Sequence, residues 1–431
     1  MRDKEELRHA CGSVIDEESW SVIRATQRHS ALNYNPYPIV VRRHSGAYGA
    51  YLYTVEGHRV LDLLAGYSAV FSHRWDVPIR ALTAELSSGT DLTSRGVYTE
   101  RFAEFCEKIT ALTGYDRVLP ASDGRSSTEP VIDAFFMHAE RRGIKKPNII
   151  LMDKYFHGRA RTFTTNALFD SSQHEGKGPR VAGIDVVADV LEMEKKINEN
   201  TAGIFMEVHR GEGGPLFDNG AYVRAWEAAR EHNIPIAVDE VQTGFYRCGH
   251  LWAWQESGLK YRPDAMVLGK ALGGGIMPVS ALVGTEEFMS VFTPGSHGST
   301  FGGFAPACAV ACSVIDYVRE HPEMGARANE IGARFAKNLA GIPNVSVRNR
   351  GALIALQIEG ISTTEPLCLE MLLGEHDPRV FMKHGHVYGN TAYVRIAPPI
   401  LAIENSMIDE ACHNTIAPVL RRAREIVGSG C

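Results

Sequence analysis

The amino-acid sequence predicts an α/β protein, with a large domain built on a mostly parallel sheet and a smaller α+β domain. Residues 221–233 carry apolar side chains at helical spacing, and Asn233 stands where a helix would end. Short apolar runs that are typical of buried strands lie on both sides of this helix, at 148–153, 202–208, 234–241 and 265–270. Strands that alternate with helices form parallel sheets joined by right-handed crossovers.

The pattern changes at about residue 305. Residues 305–321 have the composition of a helix, and residues 341–360 alternate like antiparallel strands before further helix follows. We interpret this change as the start of a second domain. The predicted division is that residues 1–55 contribute to the smaller domain, residues 56–304 form the larger domain, and residues 305–431 complete the smaller one.

Composition and charge argue against several classes of partner. The chain has 431 residues, of which 44% are hydrophobic, and this favours a large core and two domains. Its formal net charge of −6, from 45 basic and 51 acidic residues without a long block of one sign, indicates neither a nucleic acid nor a membrane as partner. The charged start lacks the apolar core of a secretory signal. Eight cysteines without CxxC pairs indicate reduced thiols of a cytoplasmic protein rather than a metal site.

One lysine has an unusual setting. Lys270 is the last residue of the predicted strand at 265–270 and precedes a glycine-rich turn. The ordinary alternative is a lysine that extends from a strand end into solvent. Asp239 ends the preceding apolar run, and its ordinary alternative is a turn cap. Because ligands of parallel sheets bind at the carboxyl ends of the strands, we predict one site that contains both residues, where a desolvated lysine can attack a carbonyl group.

Three motifs together resemble the class III aminotransferases, which are pyridoxal-phosphate (PLP) enzymes of fold type I. They are DEVQTG at 239–244, GKALGGG at 269–275 and HGSTFGG at 297–303. The resemblance implies PLP as the cofactor. It also implies a homodimer with shared active sites, in which Thr300 of one subunit reaches the cofactor phosphate of the other.

The resemblance assigns roles around the cofactor. Lys270 is the catalytic residue that binds the cofactor aldehyde and later carries protons, and Asp239 keeps the proton on the pyridine nitrogen. Gln242 corresponds to the residue near the phenolic oxygen, and Phe156 to the ring that stacks on the pyridine. His157 is also expected to bind the cofactor, although it stands where ornithine aminotransferases have a tryptophan.

The phosphate-binding turn allows two alignments. Residues 118–143 depart from the turn that opens a helix in this family. Counting back from the end of the helix places Ser127 and Thr128 at the turn, and Pro130 at a first-turn position supports this alignment. Aligning on Gly124 is the alternative.

The substrate residues resemble those of ornithine δ-aminotransferase. That resemblance implies that Tyr34 and Tyr67 line the substrate pocket, and that Arg159 binds the α-carboxylate through its guanidinium fork. It further implies that Glu212 neutralises Arg395 with one substrate and releases it to bind the second carboxylate of 2-oxoglutarate. The ordinary alternatives are core aromatic residues for the tyrosines, structural ion pairs for the arginines and a turn acid for Glu212.

The leading functional hypothesis is transfer of the terminal (δ) amino group of L-ornithine, or of a similar basic or diamino acid, to 2-oxoglutarate, which yields a semialdehyde and glutamate. Departures from the family pattern at 71–82 and 207–214 leave the substrate open. One alternative is a PLP enzyme of the same fold that acts on a modified basic amino acid by α-transamination, racemisation or cyclisation. Another is a binding protein without catalysis, against which the lysine and its neighbouring acid argue.

Overall fold

A computed structural model describes residues 15–31, 37–89, 96–166, 175–211, 219–257 and 261–428. Two of the predicted site residues, Tyr34 and Glu212, lie outside these ranges. Within them, no helix combines the length and the apolar character needed to cross a membrane.

The elements are numbered in chain order. The strands are β1 Ala47–Tyr48, β2 Tyr51–Tyr53, β3 Arg59–Asp62, β4 Arg117–Ala121, β5 Asn148–Met152, β6 Ile184–Val187, β7 Thr201–Met206, β8 Ile236–Asp239, β9 Ala265–Leu268, β10 Ser280–Gly284, β11 Val345–Arg350, β12 Leu353–Glu359, β13 Arg379–Phe381, β14 Lys383–Tyr388 and β15 Thr391–Ile396. The helices are α1 Glu17–His29, α2 Asp76–Ser87, α3 Glu100–Thr113, α4 Gly124–Arg141, α5 Arg161–Asn166, α6 Val190–Lys196, α7 Asn219–Glu231, α8 Glu286–Met289, α9 Ala305–Glu320, α10 Met324–Asn338, α11 Glu365–Leu373, α12 Asn405–Glu410, α13 Ala417–Arg421 and α14 Ala423–Gly428.

The larger of two compact units comprises Gly66–Val70 and Trp75–Asn329. Its seven-stranded sheet has the order β4-β10-β9-β8-β7-β5-β6. Strand β10 runs antiparallel to both of its neighbours, and the pairs from β9 to β6 are parallel. The predicted α/β class with a mostly parallel sheet is therefore confirmed.

The apolar composition of the central strands follows from their position in this sheet. Every residue of β7, β8 and β9 is buried, as expected for strands covered on both faces. Helix α4 packs on the sheet through Val131 and Phe135, which share a core cluster with Phe205 of β7 and Val267 of β9. Helix α4 is thereby held rigidly beside the strands that carry the predicted site.

The larger unit continues to Asn329, whereas the predicted boundary lies at residue 304. The difference arises from helix α9, which packs on α2 and α3 within this unit. Most residues of α9 are buried. They are mainly alanine, cysteine and valine, and they include Cys308 and Cys312. A helix that is apolar on most sides is a core helix, and here it belongs to the larger core rather than to the start of a new domain.

The smaller unit combines the described residues before Gly66, the stretch Phe71–Arg74 and the described residues from Glu330 onward. It contains two four-stranded sheets, with the orders β1-β2-β3-β13 and β11-β12-β15-β14. Strands β11 and β12 pair antiparallel, as the alternation at 341–360 predicts. The first sheet joins the N-terminal strands to β13 through a parallel pair with β3.

Candidate active site

Asp239 and Lys270 lie at one edge of the large sheet. Asp239 is the last residue of β8, and Lys270 follows β9, which ends at Leu268. Strands β8 and β9 are parallel neighbours, so their carboxyl ends meet at the same edge. The backbone of Lys270 has a φ of 44°, in the left-handed region, at the point where the strand end gives way to a 3₁₀ turn. The two residues therefore occupy adjacent strand ends, as the sequence predicts.

Asp239 is a buried acid with partners on both oxygens. Its Oδ2 lies 2.9 Å from Nδ1 of His157, and its Oδ1 accepts a hydrogen bond of 2.9 Å from the amide of Val241. The imidazole of His157 is itself buried and stacks on Phe205, with ring centroids 4.1 Å apart. His157 thus lies against the carboxyl group of Asp239 and fixes its orientation.

Val241 joins three parts of the site. A Cβ atom added to Gly124, at the start of α4, would lie 3.2 Å from Cγ1 of Val241. A Cβ atom on Gly269, the residue before Lys270, would lie 3.3 Å from the same methyl group. Glycine at both positions lets the helix terminus, the lysine turn and the segment after Asp239 approach one another closely.

Helix α4 begins at Gly124, with Asp123 as its cap. The carboxylate of Asp123 accepts a hydrogen bond of 2.9 Å from the amide of Ser126. Pro130 lies inside the helix rather than in its first turn, so the reason for placing the start of the helix near Ser127 is wrong. The N-terminus of this 18-residue helix offers backbone N–H groups and a positive dipole end to an anion.

Ser127 and Thr128 are committed to contacts within the protein. Both side chains are buried. The hydroxyl of Ser127 lies within 3.2 Å of the carbonyl oxygens of Asp123 and Gly124, and 3.1 Å from the hydroxyl of Ser280. The hydroxyl of Thr128 donates to the carbonyl oxygen of His157 at 2.8 Å. These contacts favour the alignment of the phosphate turn on Gly124.

The loop after β5 carries three of the predicted residues and packs on the start of α4. A Cβ atom on Gly158 would lie 3.3 Å from Cα of Arg125. Phe156 precedes this contact, and its amide donates a hydrogen bond of 3.0 Å to Oε2 of Glu207. Arg159 follows it and is exposed, and no ion pair joins it to another described residue. This exposure argues against the structural ion pair as the role of Arg159.

Gln242 occupies space that glycine leaves open. The side chain of Gln242 is nearly buried, and a Cβ atom added to Gly211 would lie only 1.8 Å from its Oε1. The amide of Gly211 donates a hydrogen bond of 3.1 Å to Oε1 of Glu207. The turn at Gly211 therefore determines where the amide group of Gln242 can lie.

Tyr67 lies in a tight turn of the larger unit. The residues Ala65, Gly66, Tyr67 and Ser68 all have positive φ, between 46° and 80°. The side chain of Tyr67 is 37% exposed, which argues against a plain core aromatic residue. Val70, at the end of this segment, would contact a Cβ atom on Gly275 at 2.8 Å. The segment of Tyr67 thus packs on the glycine-rich turn that follows Lys270.

Two further predicted residues lie apart from this cluster in the chain. Thr300 is exposed in a turn of the larger unit, and its contact with a partner subunit remains a prediction. Arg395 lies on β15 of the smaller unit, opposite Ala355 of β12 and Lys383 of β14. Its role together with Glu212 also remains a prediction.

Comparison with known proteins assigns the family. The family described as "Aminotransferase class-III" matches residues 30–417. The chain belongs to the class III aminotransferases. It is 37% identical to the ornithine aminotransferase of Oceanobacillus iheyensis over 404 residues, which are 90% of this chain and 96% of the relative. It is also 34% identical to the ornithine aminotransferase of Brevibacillus brevis, over 88% of this chain and 93% of the relative.

Solved structures agree with this assignment. The ornithine aminotransferase of Toxoplasma gondii superposes with a TM-score of 0.86 at 27% identity, covering 99% of both chains. The acetylornithine aminotransferase of Elizabethkingia anophelis superposes with a TM-score of 0.78 at 30% identity, covering 96% of this chain and 100% of the other. Fold type I and a PLP-dependent aminotransferase are therefore confirmed.

The residues of this aminotransferase fit PLP. A buried carboxylate beside a pyridine nitrogen keeps the ring protonated, and Asp239 supplies such a group with its orientation fixed by His157. The neighbouring strand end provides the amine of Lys270, and the terminus of α4 offers backbone N–H groups that would hold the phosphate. The segments that carry these three groups pack together around Val241. In the described residues, no group of histidine, cysteine or acidic side chains is arranged to bind a metal ion, and no disulfide joins the six cysteines among them.

Glu207 is a residue of this aminotransferase that the motif comparison did not select. It follows β7 directly and is buried, with one backbone amide bonded to each carboxylate oxygen. Burial, assisted by the charge of Asp239, raises the pKa of Glu207 to about 8. The strand-end pattern that identified Asp239 would also have identified Glu207, because both acids follow apolar strands at the same sheet edge.

Proposed function

We propose that this aminotransferase transfers the δ-amino group of L-ornithine, or of a similar basic amino acid, to 2-oxoglutarate. The observation that carries the proposal is an exposed Arg159 in the same loop as Phe156 and His157, without an ion pair to another described residue. A guanidinium in this position is available to bind a substrate carboxylate bidentately. The names of the relatives at 34–37% identity support ornithine as the amino donor.

The residues of the site have distinct tasks in this proposal. Bound PLP supplies an electron sink for the carbon that carries the transferred amine. Asp239 keeps its negative charge at the pyridine nitrogen, and the N–H groups at the start of α4 hold the phosphate. Nζ of Lys270 would accept a proton from the substrate carbon and donate it to the cofactor carbon.

Other parts of the proposal come from the family resemblance. They are the stacking of Phe156, the contact of Gln242 with the phenolic oxygen, the switch formed by Glu212 and Arg395, and the pocket formed by Tyr34 and Tyr67. A homodimer with Thr300 at the partner's phosphate and a location in the cytoplasm complete it. The turn at Gly124 replaces Ser127 and Thr128 as the proposed phosphate site.

An absorbance titration tests the proposal. Purified protein with PLP is titrated with L-ornithine in the absence of a keto acid, and 2-oxoglutarate is then added. The expected result is loss of the visible cofactor band with L-ornithine and its return with 2-oxoglutarate. Lys270→Ala is the control and should show neither change. If L-ornithine does not change the visible band of the wild-type protein, L-ornithine is rejected as the amino donor.

A second candidate donor is an N-acylated ornithine. A solved structure that covers 96% of this chain is an acetylornithine aminotransferase. The same titration with N-acetylornithine separates the two donors, because acylation blocks one amine and adds an uncharged group to the substrate. A response to the acylated compound alone would favour this candidate.

A further inference from the structure

We propose that Glu207 is a positioning residue for the aminotransferase reaction, because its carboxyl group joins the loop of Phe156 to the turn that supports Gln242, beside Lys270. This inference rests on the proposed function. Glu207 begins the stretch 207–214, which departs from the family pattern, and no role was predicted for it.

The carboxyl group joins two segments that are far apart in the chain. Oε2 accepts a hydrogen bond of 3.0 Å from the amide of Phe156, and Oε1 accepts one of 3.1 Å from the amide of Gly211. The two amides are separated by 55 positions of the sequence, since Phe156 follows β5 and Gly211 follows β7. A carboxyl group is the side-chain group that provides two oxygen atoms able to accept from such a pair of donors. An amide side chain would offer one acceptor and turn its NH₂ group toward the second donor.

The position of Gly211, which the hydrogen bond to Glu207 fixes, limits the space available to Gln242. A Cβ atom on Gly211 would lie 1.8 Å from Oε1 and 2.7 Å from Cδ of Gln242, so the turn and the amide group are in close contact. A displacement of Gly211 therefore changes the space available to Gln242. Glu207 in this way determines the position of two proposed cofactor contacts, the ring of Phe156 and the amide of Gln242, from one buried point.

Glu207 also interacts electrostatically with the charged groups of the site. The side chain is buried, and the charged groups that act on it are Asp239 at the end of β8 and Lys270 after β9. Burial and Asp239 raise its pKa to about 8, whereas the positive charge of Lys270 and the two amides lower it. Opposite charges favour each other's ionised forms, so ionisation of Glu207 and protonation of the lysine nitrogen are coupled. Loss of the acid should therefore make that nitrogen easier to deprotonate.

Glu240 provides a matched control. It is also a fully buried acid of this sheet edge, and burial raises its pKa to about 7. Its Oε1 accepts a hydrogen bond of 3.1 Å from the amide of Trp254, and its Oε2 accepts one from the hydroxyl of Thr243. These partners differ from the loops of Phe156 and Gly211. Glu240→Gln thus repeats the chemical change of Glu207→Gln at an acid that is bonded to neither of these two loops.

The experiment compares Glu207→Gln, Glu240→Gln and wild type in three measurements. These are the dissociation constant of PLP from the reconstituted protein, the pH midpoint of the visible band of the bound cofactor, and the melting temperature of the cofactor-free protein. Glu207→Gln should weaken PLP binding by about two- to tenfold, as expected for a lost hydrogen bond. It should also lower the pH midpoint by about 0.5 unit or more. Glu240→Gln should change the melting temperature and leave both cofactor measurements as in wild type.

The possible results separate the inference from the proposed function. If Glu207→Gln behaves like Glu240→Gln in both cofactor measurements, the positioning role is rejected while the aminotransferase stands. If the wild-type protein shows no response to any basic amino acid but binds PLP, the proposed substrate fails and the role of Glu207 is still measured. Glu207→Asp serves if Glu207→Gln does not fold. Aspartate keeps the carboxyl group on a shorter side chain. It should therefore weaken PLP binding but shift the pH midpoint of the cofactor band by less than about 0.3 unit. Wild-type PLP affinity in this variant would also reject the role.

Discussion

Replacement of Gly211 by alanine should displace the amide of Gln242 and leave the fold intact. The added Cβ atom would lie 1.8 Å from Oε1 of Gln242, far inside van der Waals contact, and 3.3 Å from Oε1 of Glu207. The φ of Gly211 lies outside the left-handed region, so alanine causes no backbone strain there. The end of a flexible glutamine side chain moves away at a lower cost than a buried carboxyl group held by two backbone amides. We therefore expect the amide group, rather than the turn, to yield.

The expected losses of stability and PLP affinity in Gly211→Ala depend on the displacement of the Gln242 side chain. Overpacking a well-packed site costs about 1–3 kcal/mol, and a movable side-chain end places Gly211→Ala near the lower limit. The contact proposed between Gln242 and the cofactor is worth about 0.5–1.5 kcal/mol as an ordinary hydrogen bond. This corresponds to a loss of PLP affinity of about two- to tenfold. The free energy of unfolding of the cofactor-free protein should fall by about 1 kcal/mol.

A double-mutant cycle tests this mechanism. PLP affinity is measured for Gly211→Ala, Gln242→Ala and the double variant. Because alanine at 211 acts through Gln242, the double variant should be no weaker than Gln242→Ala alone. Gly428→Ala is the control, since a Cβ atom there would meet nothing within 4 Å. Additive losses in the cycle, or wild-type affinity in Gly211→Ala, would refute the displacement of Gln242.

Three further predictions concern His157, Glu207 and Arg159. His157→Phe removes the 2.9 Å contact with buried Asp239 and should lower the free energy of unfolding by about 1.5–3 kcal/mol in urea titrations; a loss below about 0.5 kcal/mol would contradict the contact. Because folding raises the pKa of Glu207 from 4.5 to about 8, the folded state keeps a proton that the unfolded state loses, so stability should fall as pH rises from about 4.5 to 8. Glu207→Gln should flatten this dependence, and an unchanged slope in urea titrations at several pH values would count against it. Arg159→Ala should raise the amino-donor concentration for half-saturation by about tenfold or more while PLP affinity stays constant, and an unchanged donor dependence would exclude the proposed carboxylate contact.

The sheet edge could be predicted from sequence because its signals are local. Each buried strand forms a short apolar run, and the residue that ends the run, such as Asp239, is visible without knowledge of the fold. The position of Asn233 after α7 was equally visible, and its φ of 52° is the left-handed conformation typical of a helix end. These features depend on a few neighbouring residues alone.

The start of α4 shows where local signals compete. Pro130 suggested a later start, but proline is also tolerated inside a helix when packing outweighs the lost hydrogen bond. The cap formed by Asp123 and Ser126 is the stronger signal, because it satisfies an otherwise unpaired N–H group. The compact units differ from the predicted boundary near 305 for a different reason. The sequence of α9 shows that the helix is apolar, and only the folded chain shows which core buries it.

Glu207 could have been found from its strand end, but its partners could not. The amides of Phe156 and Gly211 come together only when β5 and β7 pair in the sheet. Backbone donors leave no trace in residue type, so no sequence pattern marks this contact.

The packing around Val241 has a consequence for how such an enzyme can change over time. One aliphatic side chain, seated against the main core cluster, sets the spacing of the helix terminus, the lysine turn and the segment after Asp239. The side chains proposed to select the substrate, such as Arg159 and Tyr67, are exposed and do not contribute to that junction. The exposed residues proposed to select the amino donor can therefore be substituted one at a time. The residues proposed to hold the cofactor pack on one another, so a substitution of one requires matching changes in the others.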